Sequence, residues 1–127
     1  MITQLHHGAA TVLQCAGEFD AEWSAEMTST CAGLWRDGRV YVVVDLDDMS
    51  AAHFDVHHVK ALLELDKIFR MRGGRLVVAT YNLCISQHFQ MVRLQQMVYG
   101  NSCEAISDLR ALAMVRGNKA ERELVEV

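Results

Sequence analysis

The chain has 127 residues, enough for one domain that removes roughly two thirds of its unfolded surface from water without staples. With 51% hydrophobic and 22% charged residues it reads as a globular protein, and a net charge of -4 offers no basic surface for nucleic acid. No run approaches the roughly 18 apolar residues of a membrane span, and MITQLHHGAATVLQC has neither a basic start nor an apolar signal core, so a cytoplasmic protein is expected.

In chain order, a weak strand, ITQLHH, is followed across Gly8 by a second, TVLQCA at residues 11 to 16, which predicts a hairpin. Asp20 is a good N-cap, and from it Trp23, Met27, Cys31, Leu34 and Trp35 recur at three- and four-residue steps, predicting an amphipathic helix punctuated by Gly38. At least one of the two tryptophans should anchor that helix. Residues 39 to 46, RVYVVVDL, are too β-branched and continuous for a half-exposed strand, and read as a central one covered on at least part of both faces.

Asp55 can cap a second helix with a core stripe of Val59, Leu62, Leu65 and Phe69 and a stop at Gly73 and Gly74. Lys60, Lys67, Arg70 and Arg72 give it a basic side or end. The strand RLVVATY follows. Ile85, Phe89 and Val92 mark a third helix, and Ile106, Leu109 and Leu112 a fourth from about Ser102, with a short strand near Met97 to Tyr99 between them. Gly117 is expected to end the last helix, leaving residues 117 to 127 as a charged tail on a domain of residues 1 to 116. Such β-α alternation implies a mostly parallel sheet with crossover helices.

Cys15, Cys31, Cys84 and Cys103 lack the two-residue spacing of zinc or redox motifs and are expected to be reduced, mostly buried fillers. Met91, Met97 and Met114 read as adaptable core or interface packing.

Taken together, GEFDAEWSAEM, RVYVVVDLDDM, FDVHHVKALLEL, MRGGRLVVA and CEAISDL resemble, in order and spacing, the STAS domain of anti-sigma factor antagonists, over roughly residues 10 to 115. The resemblance implies an α/β single domain with a mixed, mostly parallel sheet of four to five strands and about four helices. It implies a non-enzymatic signalling module without a cofactor, whose partner is an anti-sigma factor or related kinase-like protein. In that family the second helix opens with an Asp-Ser-Ser-Gly type motif whose first serine the partner kinase phosphorylates. Phosphate brings negative charge to the docking surface and switches the contact off. Aligning ALLEL places Asp55 on the acid, Val56 on the phosphorylated serine, His57 on the second serine and His58 on the glycine. Val56 has no hydroxyl, so the phosphoserine switch is expected to be missing. The loop DDMSAAH reads about two residues longer than usual, and a register slip would bring Ser50 forward.

The expected partner-binding residues are Asp20, Phe54, Asp55, Val56, His57, His58 and Lys60. The alternative is a STAS-like small-ligand or metal sensor. His53 and His57 with His58 and Asp55 have ligand chemistry, but the family register puts residue 53 before the helix, and no metal site is assigned. VVVDLDDM also resembles the nucleophile motif of haloacid dehalogenase-like phosphatases through Asp45 and Asp47, but it lies on the wrong strand and lacks a later acidic pair. A homodimer is a further expectation, as for a subunit of a larger signalling assembly.

Overall fold

The computed structural model describes residues 1–125, with residues 118–125 as backbone only. Five strands form one sheet in the order β1-β2-β3-β4-β5: β1 (Ile2–His7), β2 (Ala10–Glu18), β3 (Tyr41–Ser50), β4 (Arg75–Ala79) and β5 (Val98–Tyr99). The β1–β2 hairpin is antiparallel and every other pairing is parallel. Four helices, α1 (Ala21–Arg36), α2 (Val56–Met71), α3 (Leu83–Met91) and α4 (Ser102–Val125), make the mixed STAS-like architecture expected from the sequence.

The central strand explains its own composition. Val42, Val44 and Leu46 enter a core shared with α1, α2 and α3, while Tyr41 and Val43 enter a smaller core under α4. With both faces covered, the alternation of a half-exposed strand disappears. The stripes on α1 and α2 bury Trp23, Met27, Cys31 and Leu34, and Val59, Leu62, Leu65 and Phe69. Each large side chain contributes roughly 1.5–3 kcal/mol by leaving water. Trp23 anchors α1, and half-buried Trp35 packs on Phe69 with ring centroids 5.4 Å apart.

Buried Asp66 was not singled out by the sequence pattern. Strand β5 covers β4 only at Val78 and Ala79, so the outward N–H of Leu76 has no strand partner; Asp66 Oδ1 accepts it at 2.8 Å. Arg70 Nε approaches the other oxygen at 2.7 Å. An acid in the apolar stripe of α2 thus replaces a missing strand. From the other face of the sheet, Arg116 of α4 donates to the carbonyls of Gly73 and Gly74 and lies over the Tyr41 ring, fastening α4 to the α2–β4 turn.

Several expectations are corrected. Strand β3 runs to Ser50, so DDMS is strand rather than loop, and a 3₁₀ turn, Ala51–His53, makes the connection. Helix α4 does not stop at Gly117 but continues to Val125, because a single interior glycine costs only about 1 kcal/mol and AEREL favours helix. Cys15 and Cys31 are buried, and burial pushes both thiols up to about 12, but Cys84 and Cys103 are exposed near helix starts. Met97 is core, whereas Met91 and Met114 are exposed.

Gly74 is fixed by close approach: a Cβ there would lie 1.9 Å from the Val40 carbonyl oxygen, whereas one at Gly33 would meet nothing within 4 Å. Gly74→Ala is therefore expected to destabilise the fold by about 2 kcal/mol or more in urea unfolding, and Gly33→Ala to stabilise α1 by up to ~1 kcal/mol. Asp66→Ala, which orphans the Leu76 N–H, should cost about 1–3 kcal/mol in the same measurement, with Asp66→Asn milder because its amide oxygen still accepts.

Candidate functional site

Because β2, β3, β4 and β5 are parallel and each is followed by a helix, the helix N-termini lie at the C-terminal edge of the sheet, those of α1, α2 and α3 on one face. Each has its own acceptor. Asp20 Oδ1 accepts from Trp23 N at 2.8 Å, Asp55 Oδ1 from His57 N at 2.9 Å, and Asn82 Oδ1 from Cys84 N and Ile85 N at 2.9 and 3.3 Å. Asp47, at the end of β3, accepts from the backbone N–H of Tyr81 at 2.7 Å and ties the third entrance to the second. Asp45 Oδ1 accepts from Asp47 N at 3.0 Å, and burial raises its carboxyl above the ordinary range, assisted by the charges of Asp47 and Asp48. The Asp-x-Asp of this strand lies where its pairing with β2 shifts register, and the bond holds that irregularity.

The mouths of α1 and α2 share a pattern. FDAEW and FDVHH each place a phenylalanine before the cap, an aspartate at the cap and an aromatic ring three residues later. The phenylalanines turn inward and meet: Phe19 is 4.8 Å from Phe54, 4.9 Å from Trp23 and 5.2 Å from His58 between centroids. His58 stacks on Phe54 at 5.6 Å, and Phe54 continues to Phe89 and His88 of α3. Aromatic pairs of this kind add roughly 0.5–1.5 kcal/mol beyond their burial. The cluster therefore sets the spacing of the helix entrances.

The expected contact residues divide accordingly. Asp20, Asp55, His57 and Lys60 are exposed, and Val56 is half-buried at the first position of α2. Phe54 is 5% exposed, and its side chain supports the surface from below. The His58 side chain is 16% exposed. Its Nδ1 accepts the Asp55 backbone N–H at 3.1 Å, completing a capping box and placing the ring proton on Nε2. The same nitrogen is 3.1 Å from Asp55 Oδ1; since it accepts from the backbone, that approach is not an ion pair. Ser50 is exposed, and its Oγ accepts from Ala52 N at 3.4 Å as the cap of the 3₁₀ turn.

Among the described residues no group of three His, Cys, Asp or Glu side chains converges as for a metal ion. His53 closes the 3₁₀ turn, His57 points outward, and His6 lies on β1. The sequence reading missed the third entrance, where Tyr81 and Leu83 are 71% and 74% exposed beside the Asn82 cap. Two large apolar side chains flanking an Asn-capped helix start were a signal available in YNLCIS.

The STAS domain family model matches residues 1–109. The unphosphorylated anti-sigma factor antagonist SpoIIAA is 14% identical with a TM-score of 0.72, covering 87% of this chain and 97% of that one. An anti-sigma factor antagonist from Mycobacterium paratuberculosis is 15% identical with a TM-score of 0.73, covering 87% and 93%. The phosphorylated form of the Bacillus cell fate determinant SpoIIAA is 14% identical with a TM-score of 0.67, covering 85% and 98%. At these identities the structural likeness establishes the fold. No curated protein sequence matches this chain.

Partial desolvation raises the Asp55 carboxyl, but the backbone N–H groups of His57 and His58 outweigh it and hold the group below its ordinary 3.8. A lowered folded-state value means stability present above the unfolded value and lost as pH falls through the folded one. Relative to Asp55→Asn, which caps without ionising, the native chain should thus be more stable above pH ~4 and lose that advantage below it, as read by thermal unfolding across pH.

Proposed function

The chain belongs to the STAS domain family, and on that premise we propose that it is a non-enzymatic signalling module of the cytoplasm that binds an anti-sigma factor or a related kinase-like protein. The observation that carries this reading is the edge where three capped helix starts meet, with Val56 at the first position of α2. Half-buried Val56 adjoins exposed His57, Asp55 and Lys60, with Asp20 at the next entrance. Protein-protein contacts take their energy from a few apolar anchors inside a polar rim. Val56, Tyr81 and Leu83 supply anchors; Asp20, Asp55 and Lys60 supply rim.

The same position accounts for the absence of a phosphoserine switch in this reading. Phosphorylation acts through added charge, and residues 54–60, FDVHHVK, contain no hydroxyl to accept it. A phosphate here would also stand beside the exposed carboxylate of Asp55. With an aliphatic residue in its place, binding is governed by the amount of partner or by its assembly.

Against an ATP-binding anti-sigma factor from the same cell, Lys60→Glu is expected to weaken association about tenfold, a change of ~1.4 kcal/mol. Val56→Ser should create a phosphoacceptor for the same kinase, and the phosphorylated variant should bind less tightly than its unmodified form. Intact mass of protein taken from its own cells is expected to show no phosphate. A phosphate mapped to Ser50, or unchanged affinity for Lys60→Glu together with Val56→Asp, would sink the proposal.

A further inference from the structure

The two edges of the sheet are treated differently. Strand β5 is two residues long, and Asp66 fills the gap beside it, but β1 is a regular six-residue edge strand. It contains no proline, no lysine and no break in register with β2, the devices that discourage edge-to-edge pairing. The hydrogen-bond phase of the hairpin shows which groups are free. Ala16 N donates to Met1 O, so the odd residues of β1 bond to β2 and the even residues, Ile2, Gln4 and His6, point outward. The outward N–H of Ile2 is already taken by Glu26 Oε1 at 2.8 Å. Gln4 and His6 remain with unpaired donors and acceptors.

We propose that this free edge docks a second copy of the chain, β1 pairing antiparallel with its twin about a twofold axis through Leu5 and continuing the sheet. In that register Gln4 faces His6 of the other copy and the converse, each pair exchanging both backbone bonds, while the Ile2–Glu26 bond is left undisturbed. Leu5, 39% exposed, faces its own counterpart, so an isolated apolar side chain gains an apolar neighbour.

The charges agree with this register. Ile2, which carries Glu26, comes opposite Gly8 of the twin. Arg39 donates to the carbonyls of Gly8 and Ala10 at 2.8 and 2.9 Å and to Thr11 Oγ1 at 2.9 Å, so a guanidinium stands where the twofold axis brings the opposing carboxylate. Glu26 also meets the Met1 ammonium at 3.5 Å, so each copy presents a carboxylate shared with an ammonium at one end of the strand and a guanidinium at the other, and an isologous antiparallel contact brings carboxylate and guanidinium together twice.

Sedimentation equilibrium should show a reversible dimer, and Gln4→Pro, which removes an outward donor that β2 does not use, should weaken it at least tenfold with unchanged far-UV circular dichroism. The register has its own test. In a Cys84→Ser, Cys103→Ser background, Leu5→Cys should cross-link to itself on mild oxidation, since facing residues of a non-hydrogen-bonded pair have Cα atoms about 4.5 Å apart, within disulfide reach. Thr3→Cys, which faces His7 of the twin, should not. A monomer at every concentration, a dimer indifferent to Gln4→Pro, or equal cross-linking at residues 3 and 5 would overturn the inference. A monomer whose β1 instead pairs with an extended segment of another protein would also overturn it. None of these outcomes depends on the reading of the α2 entrance.

Discussion

The contact between Phe19 and Phe54 is the constraint on which the rest of the candidate surface depends. Both residues leave a parallel strand, both precede an aspartate cap, and both turn into the same space above the sheet, where His58 and Trp23 close around them. Helix starts at the C-terminal edge of a parallel sheet are neighbours by topology, but topology alone leaves their depth and tilt open. The aromatic contacts remove that freedom. They also explain why a histidine stands inside the first turn of α2: its ring packs as an aromatic while its Nδ1 returns to the backbone of the cap. A side chain that looks like a ligand is occupied in holding the helix entrance.

The polar groups follow the same economy. Asp20, Asp55 and Asn82 satisfy N–H groups that no helix can satisfy for itself, and Asp47 satisfies one in the loop after β4. The surface is acidic because its acids are structural acceptors facing positive helix ends, and they remain partly available to solvent. A protein partner would meet a preformed, rigid edge with apolar side chains set among these charges, requiring little ordering on association.

The sheet places its two exposed opportunities far apart in kind. At the C-terminal edge, side chains form the surface and cap the helix starts; along β1 the backbone itself is on offer and side chains only set the register. A contact at one need not compete with a contact at the other, because β1 lies at the lateral margin of the sheet, and the helix starts lie at its end. Self-association along β1, as proposed, would leave the helix starts open to a partner.

Local chemistry made much of this legible in the sequence. The unbroken β-branched run of β3, the three-and-four spacing on α1 and α2, and aspartates before both stripes depend only on nearest neighbours along the chain, and they specified the elements, the α/β class and the caps. Contacts between residues distant in sequence were not legible. Phe54 and His58 read as surface residues, yet Phe19, 35 positions before Phe54, packs against both; Asp66 gave no signal in the sequence, and only the short β5 shows why Leu76 needs its acceptor. Gly117 looked like a stop because a propensity was read without the helix-forming residues after it. Periodicity and capping chemistry fix which face of each element is apolar and where it begins, since they act over one turn or one pleat. Whether a polar or aromatic side chain is buried or exposed is decided by what another part of the chain brings against it, and only the packed tertiary structure supplies that partner.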